Sequence, residues 1–281
     1  MMMDDIKRVS QISQKKIAYM ENSTSGYLIL SLLAGIYVGF GIILIFSVGS
    51  PFAASSSAAT KLVMGLSFGI ALSLVIFAGS ELFTGNNMFC LVGGLTGEIG
   101  WDKIFKLSLI CYIGNLAGSL LLAWLVVASG TLSSPPQSDF IIKVTSLKMN
   151  LSFHELFLRG MLCNWLVCLA IWTAGRTQND AAKLILIFWC LFAFIGSGFE
   201  HSVANMTLLG IGLFLPHGDS ISWFGFARNL IPVTLGNIIG GGVFVGGLYW
   251  IVSPHRVINV QEKGLVVEGS RVQGIEESSS S

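Results

Sequence analysis

Long apolar stretches with almost no charged residues constrain this chain more than any other feature. No Asp, Glu, Lys or Arg lies between Glu21 and Lys61, and none lies between Leu107 and Ala128. A helix needs about 20 apolar residues to cross the ~30 Å hydrocarbon core of a bilayer. Six membrane elements are predicted on this basis. They are Tyr27–Val48, the paired stretches around Glu81, Leu107–Ala128, Gly160–Gly175, the paired stretches around Glu200, and Asn229–Val252.

Composition agrees with a membrane protein. Of the 281 residues, 53% are hydrophobic and 11% are charged, whereas a soluble domain carries about 25% charged residues. A soluble enzyme, a disordered chain and a disulfide scaffold are therefore excluded. The formal net charge of +1 gives no basic surface to meet phosphates, so no nucleic-acid partner is expected. Gly160–Gly175 spans a bilayer only if its helix begins before Arg159.

The second and fifth elements are each interrupted by an acidic residue among glycines. The interruptions read GSELFTGNNM (79–88) and GFEHSVANM (198–206). Irregular backbone inside a bilayer is tolerated only where it lines a cavity or is buried in protein. Helices 2 and 5 are therefore predicted to be broken near the middle of the membrane.

The interruptions also reveal a repeat with an offset of about 120 residues. The aligned pairs are Glu81 with Glu200, Asn87-Met88 with Asn205-Met206, and Gly114-Asn115-x-x-Gly118 with Gly236-Asn237-x-x-Gly240. Each half then holds three helices, an odd number, so the halves run through the membrane in opposite directions. The alternative is a chance alignment of glycine-rich apolar sequence. Glycines four residues apart, as in Gly35-Gly39, also permit close helix contacts.

The ends of the chain differ from its centre. Residues 1–25 alternate isoleucine and valine with lysine and arginine, which predicts an amphipathic helix on the membrane surface, either an anchor or a gate. Residues 26–254 form the predicted six-helix domain, and residues 255–281 a disordered polar tail. With both termini cytoplasmic, eleven Lys and Arg residues lie inside and five outside, which favours that orientation.

His201 is the leading candidate for chemistry, because it is the only one of four histidines inside an apolar span. A histidine in a soluble core is usually just hydrogen-bonded, but inside a membrane it indicates an ion or proton pathway. The five cysteines are scattered singly, so no metal site and no cofactor are expected. An intramembrane enzyme is a less favoured alternative, since no set of metal ligands at close spacing is present.

Four segments resemble the formate/nitrite transporter family, and within it the bacterial nitrite channels. They are GLSFGIALSLVIFAGSELFTGNNMF (65–89), GMLCNWLVCLAIW (160–172), GFEHSVANM (198–206) and VTLGN (233–237). The resemblance extends from about residue 20 to residue 255. It implies an all-α, aquaporin-like fold and a homopentamer with a separate pore in each protomer.

The resemblance also implies roles for individual residues. His201 matches the central histidine of the pore, and Thr84 a threonine that can contact it. Asn164 matches the pore asparagine, Lys148 a lysine that draws anions into the external vestibule, and Glu200 the glutamate beside the histidine. The matching constriction residues are Phe68, Leu72, Leu82 and Phe194 on the inner side, and Phe83 and Val167 on the outer side.

These expectations describe a nitrite channel or proton-coupled transporter in the bacterial inner membrane, serving nitrate assimilation. Nitrite, with formate as a second small monovalent anion, cannot cheaply enter an apolar constriction. A buried imidazole that binds a proton together with the anion would solve this problem. A formate or hydrosulfide channel is the alternative within the family. A neutral-solute pore is a more distant one, since the chain lacks the Asn-Pro-Ala tripeptide of water channels.

Overall fold

The computed structural model describes residues 2–253, and all regular structure within them is helical. The helices are α1 (Met2–Asn22), α2 (Thr24–Ala54), α3 (Thr60–Ser67), α4 (Ile70–Phe77), α5 (Phe83–Leu95), α6 (Trp101–Ala128), α7 (Gln137–Asn150), α8 (Phe153–Ala174), α9 (Asp180–Ser197), α10 (Ser202–Phe214), α11 (Trp223–Ile238) and α12 (Leu248–Val252). A π-helical segment, Ile239–Gly247, joins α11 to α12. The tail predicted for residues 255–281 lies outside the described residues.

Six segments are long and apolar enough to cross a membrane, which confirms the predicted number. They are Thr24–Ala54, Thr60–Phe77, Trp101–Ala128, Phe153–Ala174, Asp180–Ser197 and Trp223–Val252. Most extend beyond the charge-free stretches, because a helix continues into the polar interface after its apolar part ends. The fourth begins at Phe153, before Arg159, where Ser152 and Glu155 form a reciprocal capping box.

Two of the chain's irregular segments interrupt apolar sequence. α4 ends at Phe77 and α5 begins at Phe83, while α9 ends at Ser197 and α10 begins at Ser202. A glycine with positive φ lies in each gap, Gly79 at 74° and Gly198 at 75°. Only glycine adopts this backbone conformation without steric cost, so the chain turns at these two positions.

Glycines bring the long helices into backbone contact. A Cβ atom on Gly118 of α6 would overlap the Leu32 carbonyl of α2, and one on Gly236 of α11 would overlap the Phe157 carbonyl of α8. Small residues allow this close approach in membrane proteins, where packing rather than water exclusion holds helices together. The α2–α6 and α8–α11 pairs therefore form the two tight seams of the fold.

The N-terminal helix packs onto the bundle along one face. Ile6, Val9 and Met20 are buried, and Gln14 donates a hydrogen bond to Glu98 at 2.9 Å. α1 ends at Asn22 and α2 begins at Thr24, so the helix boundary lies slightly before the predicted residue 25. α7 is a helix in the loop between the third and fourth spans, where the sequence analysis predicted no element.

Replacing Gly118 with valine tests the first seam. We expect Gly118→Val to lower the stability of the detergent-solubilised protein by about 1–3 kcal/mol, because the new side chain overlaps the α2 backbone. The measurement is the thermal unfolding midpoint. Gly196→Val is the control, since a Cβ at Gly196 has no neighbour within 4 Å. Equal midpoints for the two variants would contradict the proposed packing.

Candidate functional site

His201 lies at the N-terminus of α10, at the second interruption. It is the N-cap residue of that helix, and only 4% of it is exposed. Its Nδ1 accepts a hydrogen bond from the Ala204 backbone N–H at 3.1 Å. Its Nε2 lies 2.8 Å from Oγ1 of Thr84, which sits in the first turn of α5. The imidazole therefore connects the two helices that begin inside the protein.

The hydrogen bonds assign a tautomer to the neutral ring. Because Nδ1 accepts the Ala204 N–H, the ring proton belongs on Nε2, which donates to the Thr84 hydroxyl oxygen. The Thr84 hydroxyl then has its own proton left to donate elsewhere. A second proton, placed on Nδ1, would displace the bond from Ala204, so ring charging is coupled to the end of α10.

Three cavities follow one another past His201. The α7-side cavity, about 590 Å³, is lined by Phe194, Glu200 and His201 among others. A small cavity of about 10 Å³ also touches Phe194 and His201. It shares Leu82 with the α1-side cavity, about 300 Å³, which is lined by Lys16 and Asn86. The shared residues place the narrow point between the two wide cavities.

Apolar side chains form that narrow point. The predicted constriction residues around the small cavity are Phe68, Leu72, Leu82, Val167 and Phe194. The rings of Phe68 and Phe194 meet edge to face, with centroids 5.3 Å apart. The Phe194 ring lies 6.1 Å from the imidazole. Five of the six predicted constriction residues therefore line one cavity. Val167, predicted for the outer side, lies there with the four residues predicted for the inner side.

Phe83 is a correction to the predicted constriction. Its ring packs against Tyr112 of α6 with centroids 5.0 Å apart, and it lines a separate cavity with Asn87 and Trp101. The Phe83 N–H donates to Asn115 Oδ1 at 2.9 Å, which holds the first residue of α5 against α6. Phe83 is not among the residues that line the small cavity.

Lys148 and Glu200 form a nearly buried ion pair in the α7-side cavity. The Lys148 Nζ lies 2.6 Å from Glu200 Oε2, and the side chains are 16% and 3% exposed. Asn205 donates to the same carboxylate oxygen at 2.7 Å and accepts from Lys148 at 3.2 Å. The lysine predicted to attract anions therefore has its charge balanced by the neighbouring glutamate.

Asn164 links two backbone segments through hydrogen bonds. Its Nδ2 donates to the Thr84 carbonyl at 3.0 Å and to the Asn237 carbonyl at 2.7 Å. An amide nitrogen carries two hydrogens, so none remains for a bound anion. Asn164, which matches the pore asparagine, therefore positions the first turn of α5, which carries Thr84.

The first interruption carries a matching ion pair, whose lysine the sequence analysis did not identify. The Lys16 Nζ lies 2.6 Å from Glu81 Oε1, and Asn86 Nδ2 donates to Glu81 Oε2 at 3.1 Å. The Tyr27 hydroxyl donates to the same oxygen at 3.1 Å. Lys16 comes from α1, which the sequence analysis treated only as an amphipathic surface helix.

One asparagine on the third span and one on the last span each hold one interruption, by equivalent hydrogen bonds. Asn115 Oδ1 accepts from the first N–H of α5, and Asn237 Oδ1 accepts from the first N–H of α10, at Ser202. Their Nδ2 atoms donate to the carbonyls of Glu81 at 2.9 Å and Glu200 at 3.0 Å. The signal was present in the repeated Gly-Asn-x-x-Gly motif.

The hydrogen bonds also correct the alignment of the two halves. Asn86 and Asn205 each lie five residues after the glutamate they contact. The sequence alignment had paired Asn205 with Asn87, whose Nδ2 is buried with no hydrogen-bond partner among residues 2–253. Asn86 is therefore the counterpart of Asn205.

A membrane-spanning helical bundle with a line of cavities and a constricted centre defines a channel or transporter. Comparison with known proteins identifies the family of channels or transporters. A family model described as formate/nitrite transporter matches residues 4–251. The chain belongs to the formate/nitrite transporter family, a family of transporters and channels, as the sequence motifs predicted.

Two relatives illustrate the range of similarity. The nitrite transporter NirC of Escherichia coli (strain K12) is 43% identical over 263 residues, covering 94% of this chain and 97% of the relative. The probable formate transporter of Methanothermobacter thermautotrophicus is 37% identical over 266 residues, covering 88% of this chain and 94% of the relative.

Solved structures agree with this assignment. An FNT family ion channel matches with a TM-score of 0.85 and 43% identity, covering 89% of this chain and 99% of that chain. A pentameric formate channel with formate bound matches with a TM-score of 0.70 and 30% identity, covering 83% of this chain and 98% of that chain.

Removing one partner of the Lys148–Glu200 pair tests whether the pair stabilises the folded protein. We expect Lys148→Gln to lower stability by about 3 kcal/mol, because it leaves a carboxylate that is 3% exposed without its cation. The double variant with Glu200→Gln is expected to recover much of the loss. Thermal unfolding of wild type, the two single variants and the double variant gives the coupling energy between Lys148 and Glu200. Additive losses in the double variant would contradict a specific pair.

Proposed function

We propose that the protein is a nitrite channel or transporter in which each protomer carries its own pore, with formate as a second small monovalent anion. The observation that carries the proposal is the position of His201, which lines both the α7-side cavity and the small cavity. An imidazole facing lipid would not support this function. Formate and hydrosulfide remain the alternatives within the same pore.

Helix ends support an anion as the substrate. Leu82 and His201 are the N-cap residues of α5 and α10, and both line the small cavity. The N-terminus of a helix carries a partial positive charge and favours anions. Two such ends near one constriction offset part of the cost of moving an anion through an apolar passage.

His201 and Thr84 supply the group that changes state. The Thr84 hydroxyl accepts from Nε2–H and keeps its own proton to donate to a passing anion. A proton taken up at His201 as the anion arrives would bring the sum of the two charges to zero. Proton and anion then bind cooperatively, since each raises the affinity for the other.

The two interruptions support an inverted repeat. Each carries a glycine with positive φ, a lysine–glutamate–asparagine cluster and a capping asparagine from a long helix. We infer that helices 2 and 5 of the six are broken spans related by a pseudo-two-fold axis, in an aquaporin-like arrangement. Such halves meet near the bilayer midplane in many transporters.

The placement in the cell follows from charge and family. The excess of Lys and Arg in the loops on the α1 side supports a multi-pass protein of the bacterial inner membrane with both termini cytoplasmic. In this orientation the α7-side cavity faces outward. The pentameric formate channel supports a homopentamer surrounded by lipid. Residues 1–25 then pack on the cytoplasmic face of the domain 26–254, and nitrate assimilation is the proposed physiological context.

Flux into liposomes that contain the purified protein tests the substrate class. Nitrite, formate, hydrosulfide, chloride and glycerol are compared at several pH values. We expect nitrite and formate to enter and glycerol to be excluded, because the constriction is apolar and the helix N-termini favour anions. Entry of glycerol without any anion would overturn the proposal in favour of a neutral-solute pore.

Replacing His201 tests the mechanism. In wild type, nitrite flux is expected to rise as pH falls, because low pH supplies the proton that accompanies the anion. His201→Phe removes the titratable ring. We therefore expect either a flat pH profile or at least about a tenfold loss of nitrite flux at low pH, since losing one acid–base group slows a reaction by at least that factor. His154→Phe is the matched control, since His154 is exposed. An unchanged pH profile in His201→Phe would contradict the mechanism.

A further inference from the structure

The walls of the α7-side cavity carry more positive than negative charge. Three basic residues line it, Lys61, Lys148 and Arg159, together with one carboxylate, Glu200. Lys148 lies 2.6 Å from Glu200 and therefore contributes a dipole instead of a net charge. The net attraction for an anion entering this cavity must come from the two remaining cations.

Lys61 has no carboxylate partner in the part of the chain from residue 2 to residue 253. It lies in the first turn of α3, is exposed in the protomer, and its side chain makes no hydrogen bond or ion pair with any described residue. A lysine in this condition keeps its full charge, screened only by water and salt. Its position in the cavity wall directs that charge at incoming anions.

Arg159 is placed at the edge of the interruption itself. Its backbone carbonyl accepts the Glu200 N–H at 3.2 Å, so the residue lies beside the Lys148–Glu200 pair. Its Nη2 lies 3.3 Å from Glu155 Oε1, with side chains 37% and 46% exposed. A pair this exposed is weak, which leaves the guanidinium available to an anion.

The α1-side cavity is different. Its three basic lining residues are Arg8, Lys16 and Lys183, and each has a carboxylate partner. Asp5 lies 3.4 Å from Arg8, Glu81 lies 2.6 Å from Lys16, and Asp180 lies 2.8 Å from Lys183. Among the basic residues that line these two cavities, Lys61 is therefore the one without a carboxylate partner in residues 2–253.

We propose that Lys61 and Arg159 capture small anions in the α7-side cavity and set the half-saturating concentration for entry from that side. The inference rests on the proposed function and assigns it two residues. Charges at a cavity mouth raise the local concentration of an oppositely charged ligand and its rate of association. They act before the constriction, so they leave the maximal rate unchanged.

The test measures nitrite uptake into right-side-out membrane vesicles that contain the full-length protein. The variants are Lys61→Gln, Arg159→Gln and the double variant. At ~10 mM ionic strength, where the Debye length is about 30 Å, each single variant is expected to raise the half-saturating nitrite concentration about threefold, and the double variant about tenfold. Near 1 M salt of an impermeant anion, with a Debye length of about 3 Å, the differences are expected to disappear.

Two controls separate charge from structure. Lys143→Gln removes an exposed lysine of α7 that does not line the cavity, and it is expected to behave as wild type. Arg159→Lys keeps the charge and is expected to retain most of the low-salt affinity. If Arg159→Lys loses as much affinity as Arg159→Gln, the residue acts through packing and the inference is wrong for it.

The result for wild type distinguishes this inference from the proposed function. Wild-type vesicles that take up no nitrite, formate or hydrosulfide would overturn the proposed function. Wild-type uptake with an unchanged half-saturating concentration in the double variant at low salt would overturn the capture role alone. A salt-independent loss of maximal rate in the double variant would also overturn it, because steering acts on association.

Discussion

Backbone groups that are left unpaired inside a membrane must find partners, and this requirement organises the centre of the protein. The gaps between α4 and α5 and between α9 and α10 each leave helix-end N–H and C=O groups without a partner in their own helix, within apolar sequence. Asn115 and Asn237 satisfy both kinds of group at once, with the amide oxygen on an N–H and the amide nitrogen on carbonyls. The long helices that carry these asparagines thereby fix the positions at which α5 and α10 begin.

The charged residues at the interruptions follow from the same constraint. Glu81 and Glu200 are each paired with a lysine and an asparagine amide. A carboxylate in this environment is strongly unfavourable unless its hydrogen-bonding capacity is filled. These clusters hold the chain where it turns, and they also place polar groups in the walls of the two wide cavities. One arrangement therefore serves both stability and the passage of ions.

Much of this architecture is readable from the sequence, and the unpredictable parts have a common cause. The number of spans and the positions of the interruptions follow from charge patterning, and the cost of polar groups in lipid makes His201 the leading candidate residue. The partners of each polar group do not follow, because they come from distant parts of the chain. Lys16 reaches Glu81 across 65 residues, and Asn164 reaches Thr84 across 80. For the same reason the alignment confused Asn86 with Asn87, since only the contact with Glu81 tells the two apart.

The distribution of charge along the proposed pathway explains how an anion can enter without being trapped. Lys61, which has no carboxylate partner among the described residues, lies in the wall of the wide α7-side cavity. Deeper in, Lys148 is neutralised by Glu200, and the narrow point offers only helix dipoles and a titratable ring. A permanent charge at that depth would bind an anion too tightly to release it, whereas conduction needs binding that is favourable but weak. A histidine whose charge appears with the anion and leaves with it meets that requirement.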